Sequence, residues 1–407
     1  MICRGCGNQF FQTFLDLGVS PIANNLIDVN SPIELVQKYP LKAMVCEACA
    51  FVQLSEIIPR ETLFSENYLY YSSYSTSWLA HCKKFAKDMV ALLDLTSDDL
   101  VVEIASNDGY LLQYFMELRV EVKGIEPSLG VAEVARSKGI PTTVDFFGEN
   151  LANTLITKRK PRLIIGNNVL AHVPDIHDFI KGLGILLDEE GIITLEFPHL
   201  YNLIKFKQFD TVYHEHLSYL SLTSLNPIFL EHDLKVFKIE KLDTHGGSLR
   251  VYLAKSYSSW KVCNSVDDIF EEEKLLDPRI PAVYGALQDS VLAIKNDLNS
   301  KLQKLKNKGF KIAAYGAAAK GVTLLNFCGI NSDLIEYVVD RNLYKQGKSL
   351  PGSNIRVVGV EKLTTDVPDV VLILPWNLSS EIASYINSEI GINPVLMRAI
   401  PQVEYFK

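Results

Sequence analysis

The chain has 407 residues, 48% of them hydrophobic and 22% charged, the balance of a soluble globular protein of two or three domains. A net charge of −8 argues against an extended nucleic-acid footprint, which needs a basic surface, although a few local Lys and Arg can still bind a small anion. No apolar stretch approaches the roughly 20 residues of a membrane-spanning helix, and the first residues lack the apolar run of a secretory signal. The expectation is a cytoplasmic protein, monomeric or weakly oligomeric, with no membrane partner.

Residues 1 to about 75 read as an irregular, aromatic-rich module. Cys3-x-x-Cys6 and Cys46-x-x-Cys49 form two knuckles. A two-residue spacer turns both sulfurs of a pair towards one ion, and two such pairs supply the four thiolates that zinc prefers. Redox pairs or disulfides are the alternatives, but reduced thiols are expected without a secretory signal. No His or carboxylate is placed to activate a zinc-bound water, so the site reads as closed and structural. Cys82, Cys263 and Cys328 stand alone and are expected to be buried. Tyr68, Tyr70, Tyr71 and Tyr74 crowd one segment at mixed spacing. They cannot all face one core, and Tyr70 and Tyr74 are taken as pocket-lining candidates.

From 78 to 93 the apolar positions recur at helical spacing. Strand candidates follow at 100–105, 121–125, 142–146, 162–166 and 191–197, with helical patterns between most of them. This order predicts a parallel sheet covered on both faces. Strands at 234–241 and 248–254 read as a hairpin joined through Asp243-Thr-His-Gly-Gly247. Five α/β units ending in a hairpin fit a class I methyltransferase sheet better than a dehydrogenase sheet. Residues 256–309 read as a helical linker, and 310–407 as a second, Rossmann-like α/β domain. The middle domain is therefore 76–255.

The segment Val101-Val-Glu-Ile-Ala-Ser-Asn-Asp-Gly109 is a buried strand running into a tight turn. Ala105 and Gly109 allow a ligand close to the backbone, and Glu103 ends the strand. A second strand ends in Gly124-Ile-Glu126, which places Glu126 to accept hydrogen bonds from both hydroxyls of a ribose. G-x-G-x-x-G is missing, so a cofactor without phosphates is favoured over a dinucleotide. S-adenosylmethionine (SAM) is such a cofactor.

Glu103-Ile-Ala-Ser-Asn-Asp-Gly109, Gly166-Asn-Asn-Val-Leu-Ala-His172, Tyr213-His-Glu-His216 and Thr244-His-Gly-Gly-Ser-Leu-Arg250 closely resemble the sugar C-methyltransferases of deoxysugar biosynthesis. The resemblance spans essentially the whole chain. It implies a zinc-binding module, a methyltransferase domain and a C-terminal Rossmann-like domain. It also implies SAM-dependent methylation of a ring carbon, typically C-3, in a nucleotide-linked 4-keto-6-deoxysugar, with dTDP or GDP as the nucleotide. Ala105 and Asn107 stand where many methyltransferases have glycine, as in this family's variant of the motif.

Carbon methylation needs a carbon nucleophile, so a base must remove a proton beside the ketone while a donor steadies the enolate oxygen. His216 is the candidate base, since imidazole titrates near neutrality. Tyr213 is the candidate donor, with Glu215 or His214 tuning the base and His172 a second candidate. His199 and His245 rank lower, and His245-Gly-Gly reads as a tight hairpin device. Glu103, Ala105, Asn107, Gly109, Glu126, Asn167 and Asn168 are the SAM-binding candidates. In the C-terminal domain, Gly316-Ala-Ala-Ala-Lys-Gly321 opens a helix, so Lys320, with Arg341 after the next strand, is read as a clamp on the nucleotide diphosphate. The rival reading is a unit that only packs on the catalytic domain. O- or N-methylation, or a binding protein built on the zinc module, are the competing functions.

Overall fold

The computed structural model describes residues 1–29, 36–63, 71–156 and 159–406. At its centre is a seven-stranded sheet: β1 Leu100–Ile104, β2 Glu121–Ile125, β3 Thr142–Thr143, β4 Leu163–Asn167, β5 Ile192–Pro198, β6 Leu234–Leu242 and β7 Ser248–Lys255. The spatial order is β6-β7-β5-β4-β1-β2-β3. The first five strands are parallel, and β7 runs antiparallel between β5 and β6. This is the expected methyltransferase sheet, with the order reversing between β1 and β4.

Alternation of side chains explains why these apolar runs are strands. Val102, Ile104, Ile164 and Ile193 enter the core on one face, while Val101, Leu163, Ile165 and Ile192 enter the core on the other. Only a strand with both faces covered turns consecutive apolar residues to opposite sides. The helix Thr76–Leu93 starts where Ser75 Oγ accepts the Trp78 N–H (3.3 Å) and ends at Asp94 in left-handed backbone. It buries Cys82, Phe85, Ala86, Met89 and Leu93, the i, i+3, i+4 face of a helix.

The N-terminal module is not irregular. Strands Phe11–Pro21, Lys38–Cys46 and Val52–Leu54 form an antiparallel sheet, closed by Ser218–Tyr219 from the middle of the chain. Leu41, Ala43 and Val45 alternate inward along it. The C-terminal domain carries six strands in the order Val357–Val358, Val338–Val339, Ile312–Tyr315, Val370–Ile373, Val395–Arg398 and Glu404–Phe406. All pair in parallel except the last.

The segment between these domains does more than connect them. The helix Pro281–Asn307 buries Leu287, Val291, Ile294, Leu298 and Leu302. They join a core with Phe14 and Leu17 of the N-terminal module, Leu203 and Phe209 of the middle domain, and Ile312 and Leu372 of the C-terminal sheet. At about 1.5–3 kcal/mol per buried aliphatic side chain, this helix is a spine for all three parts. In the helix Asn264–Lys274, Glu273 accepts the N–H groups of Leu222 and Thr223 (2.7 Å each) and pairs with His199 (2.8 Å). His199 is thus held as a structural residue. Cys82 and Cys328 are buried as expected, but Cys263 is exposed, because it precedes a helix on the surface. No helix of the described residues is long and apolar enough to cross a membrane.

Candidate active site

The site begins in the turn after β1. Ala105 (φ 56), Asn107 (φ 50) and Gly109 (φ 77) all take left-handed backbone. For the two non-glycine residues this costs of order 1 kcal/mol each, and strain of this kind is held where a ligand must approach backbone. At 109 glycine suits the left-handed backbone, and a Cβ there would displace the terminal methyl of Ile140. The end of β2 closes the turn from beneath. Glu126 Oε2 accepts the Asn107 N–H (3.0 Å) and Oε1 accepts the Ser128 N–H (2.9 Å). Burial pushes the Glu126 carboxyl up to about 7, against the two amides, which favour its ionised form. Each carboxylate oxygen keeps a second lone pair for a ribose hydroxyl. Glu103 is fully buried, and desolvation drives its carboxyl well above the usual range.

Around this turn, Asp108 Oδ1, Ser128 Oγ, Asn167 Oδ1 and Asn168 Oδ1 are buried with no partner among the described residues. An unmade hydrogen bond costs about 1–3 kcal/mol, so a group of them at one sheet edge marks a place shaped for a polar ligand. They ring the switch between β1 and β4, the position at which open parallel sheets bind ligands. Donor set, strained turn and ribose acceptor together fit SAM. Asn107 Oδ1 also accepts the Ser72 N–H (2.9 Å), which ties the segment entering the middle domain over the turn.

The second half of the site follows β5. His216 Nδ1 lies 2.9 Å from the Thr211 carbonyl. A carbonyl only accepts, so Nδ1 carries the proton and Nε2 presents its lone pair. That lone pair accepts from the Tyr213 hydroxyl at 2.8 Å. His172, just after β4, sits with its ring centroid 4.8 Å from that of His216, and its Nδ1–H donates to the Glu215 carbonyl (2.6 Å). The His216 imidazole is not poised near neutrality: burial, then the neighbouring His172, push its pKa well below the ordinary value. Burial likewise lowers His172 to about 4. Both rings are neutral acceptors at physiological pH.

The structure separates other candidates from this pair. The Glu215 carboxylate faces the N-terminal module, where it accepts the Asn24 N–H (3.1 Å), so it does not orient His216; only its backbone carbonyl serves the site, through His172. His214 likewise points to that module, its Nε2–H on the Pro40 carbonyl (3.2 Å). Tyr70 and the side chain of Tyr74 lie outside the described residues. Lys320 lies at the seam between the C-terminal and catalytic domains, near enough to Asp210 of the latter for their charges to act on each other, but its direct contacts stay within its own domain. There it bonds Asn377 Oδ1 (2.7 Å) and lies over the Trp376 ring (4.5 Å). Burial lowers it to about 8, offset by the charge of Asp210. Arg341 stands apart, over Tyr385 within its own domain.

His245 and Arg250 of the hairpin motif meet residues at this seam that carry no sequence signal. Asp210 is fully buried, bonded to Trp376 Nε1–H (2.8 Å) and raised to about 7 by desolvation. His245, at the hairpin tip with φ 56, meets Trp78 edge-on (5.2 Å), and Trp78 stacks on His81 (5.0 Å). His81 lies 3.2 Å from Glu196, which also pairs with Arg250. Trp376 follows a parallel strand at its carboxyl end, which was the one available hint.

At the N-terminus the four cysteine sulfurs lie within 4.8 Å of one another, with Cys3–Cys49 and Cys6–Cys46 each at 3.6 Å. A tetrahedral zinc with bonds of about 2.3 Å holds its sulfurs about 3.8 Å apart, so the donor set fits the ion. The Cys3 thiol is lowered to about 5, chiefly by the thiol of Cys49. Four thiolates leave no open position, so the zinc site is structural.

Known proteins match the chain in three successive parts. Residues 3–64 match a zinc binding domain family, residues 78–239 a methyltransferase domain family, and residues 243–395 a family described as the C-methyltransferase C-terminal domain. C-methyltransferase NovU of Streptomyces niveus is 33% identical over 381 residues, covering 93% of this chain and 90% of its own. Among solved structures, a SAM-dependent methyltransferase from Clostridium acetobutylicum is 11% identical, with a TM-score of 0.35, over 44% of this chain and 92% of its own. SAM-bound magnesium protoporphyrin IX methyltransferase of Synechocystis is 17% identical, with a TM-score of 0.33, over 44% of this chain and 82% of its own.

Proposed function

Since the chain belongs to the family of SAM-dependent C-methyltransferases, we propose that its acceptor is a nucleotide-linked 4-keto-6-deoxysugar, methylated at C-3 beside the ketone. The observation that carries this reading is the His216–Tyr213 pair at 2.8 Å, its imidazole fixed by Thr211 so that a bare nitrogen faces the hydroxyl. Methylation of oxygen or nitrogen has no need of such a pair, because those atoms already hold a lone pair. A carbon acid needs a proton acceptor and an oxyanion donor together.

In this reading SAM lies on the β1 turn, with its ribose on Glu126, and supplies an electrophilic methyl group. When the Tyr213 hydroxyl turns from His216 Nε2 to the ketone oxygen of the bound substrate, the freed Nε2 takes the C-3 proton. The C–H electron pair moves into the ring and onto the ketone oxygen, where the Tyr213 hydroxyl donates to the enolate. The enolate carbon would then bond to the methyl carbon as the methyl–sulfur bond breaks, its electron pair staying on sulfur so that S-adenosylhomocysteine leaves. The depressed basicity of His216 has a use: the ring stays unprotonated across the physiological range, and the donor to the enolate offsets its weakness as a base. Lys320 at the seam serves the anionic nucleotide diphosphate, and Arg341, held over Tyr385, takes no part in it.

The test is hydrogen exchange. In deuterated water with S-adenosylhomocysteine, wild-type protein should exchange the C-3 hydrogen of a dTDP- or GDP-4-keto-6-deoxysugar before any methyl is present. His216→Ala should lose exchange and methylation while still binding SAM. Tyr213→Phe should slow both by about 10²-fold, the scale of one oxyanion donor. A product carrying its methyl on oxygen, from a substrate that never exchanges, would overturn the reading.

A further inference from the structure

A second cluster of metal-binding side chains lies outside both the cysteine site and the catalytic pair. His177 is on the helix Ile176–Leu186, Glu231 ends the helix Leu222–Glu231, and His232 follows it. His177 Nδ1 lies 3.1 Å from His232 Nε2 and 3.8 Å from Glu231 Oε2, and all three donor atoms fall within 4.8 Å of one another. Nothing in the reaction described above uses these residues.

We infer that His177, Glu231 and His232 form a second metal site, for a divalent first-row transition ion such as zinc. Three features carry it. The donor set is two imidazoles and a carboxylate, which suits zinc and its neighbours and not calcium or magnesium. The spacing is right: an ion with bonds of about 2.0–2.1 Å to nitrogen holds its ligands a little over 3 Å apart. The third feature is the orientation of His177. Its Nε2 lies 3.1 Å from the carbonyl of Gly5, which can only accept, so Nε2 carries the proton and Nδ1 turns its lone pair to the cluster. Metal-bound histidines are characteristically oriented in this way, by a carbonyl on the far nitrogen.

Without metal, His232 Nε2–H donates to that lone pair. On binding, His232 moves its proton to Nδ1, both rings stay neutral, and the ion takes the two nitrogens and Glu231 Oε2. Open coordination positions remain towards solvent, since the histidines are half-buried and Glu231 is exposed. The site is also a clasp. Gly5 lies between Cys3 and Cys6, so a metal on Nδ1 polarises the N–H that holds the zinc knuckle against the methyltransferase domain.

The test uses tag-free protein carrying its structural zinc. Wild type titrated with Co²⁺ should bind one further equivalent, with the weak visible bands of nitrogen and oxygen ligands and no thiolate charge-transfer band. Added Zn²⁺ should compete for it and raise the melting temperature. His232→Gln should lose the cobalt signal and the thermal shift while keeping its structural zinc. Glu231→Gln, at an exposed position where folding is not at risk, should weaken cobalt binding. The proposal fails if wild type takes up no cobalt beyond its structural metal, if His232→Gln binds it equally well, or if the signal is that of thiolate ligands.

Discussion

Two turns in this molecule are built on one plan and end differently. In the catalytic domain β1 leads into a tight turn, and the acid after β2, Glu126, accepts the N–H of Asn107 in that turn and of Ser128 two residues beyond itself. In the C-terminal domain the strand Ile312–Tyr315 leads into Gly316, and Asp340 accepts the N–H of Ala317 in that turn (2.7 Å) and of Asn342 two residues beyond itself (2.8 Å). The surroundings differ. The second turn is filled by its own domain: Pro375 packs on Gly316, and Lys345 Nζ donates to the Ala317 carbonyl (2.7 Å). None of the buried unpaired side-chain atoms among the described residues lies at this turn, whereas several, Asp108 Oδ1, Ser128 Oγ, Asn167 Oδ1 and Asn168 Oδ1 among them, ring the first. An acid ending the second strand is therefore a feature of the fold. Unpaired polar atoms beside it distinguish a place for a ligand from a place for packing.

Breaking each acid should separate the two roles. Glu126→Ala should weaken SAM binding by about 2–3 kcal/mol, the range for hydrogen bonds to a charged group, measured by calorimetry. Asp340→Ala should leave SAM affinity unchanged. It strips the acceptor from two backbone amides, so it should lower unfolding stability by roughly 1–3 kcal/mol, read by denaturant titration. Loss of SAM affinity in Asp340→Ala would show that the two turns are not functionally distinct.

The same contrast explains what was legible in the sequence. The parallel strands were visible because burial on both faces leaves continuous apolar runs such as Leu163–Asn167. The cofactor turn was visible because a small-residue turn and an acid recur at short range. The N-terminal sheet is hidden because register shifts at Thr13/Leu15 and Asp16/Val19 break the alternation along its first strand, and its closing strand, Ser218–Tyr219, comes from far along the chain. Long range also hid the partners of the catalytic loop. Glu215 reads as a neighbour of His216, but successive residues diverge: its carboxylate meets Asn24 while His216 meets Tyr213. Asp210 with Trp376, and Lys320 with Asn377, are seam contacts that no periodicity encodes. Nor does the sequence state desolvation, which takes His216 away from neutrality.

The smallest expected effect is one of pH, and it sharpens the comparison most. Burial raises the Glu126 carboxyl to about 7 in the SAM-free protein. Its ionised form is the one that accepts two ribose hydroxyls, so SAM affinity should fall as pH drops through that value. If only the ionised form binds, affinity should change by about tenfold between one pH unit above and one below it. The stability term runs the other way. A carboxyl raised in the folded state keeps a proton that the unfolded chain releases, so its contribution is full below the usual carboxylate range and is lost as pH rises to about 7. The melting temperature gained on adding SAM should therefore grow with pH across that window. Glu126→Ala should flatten this dependence, while Asp340→Ala should keep it, because that acid belongs to the turn filled by its own chain. An affinity for SAM that does not vary with pH in wild type would mean that Glu126 is not the ribose acceptor.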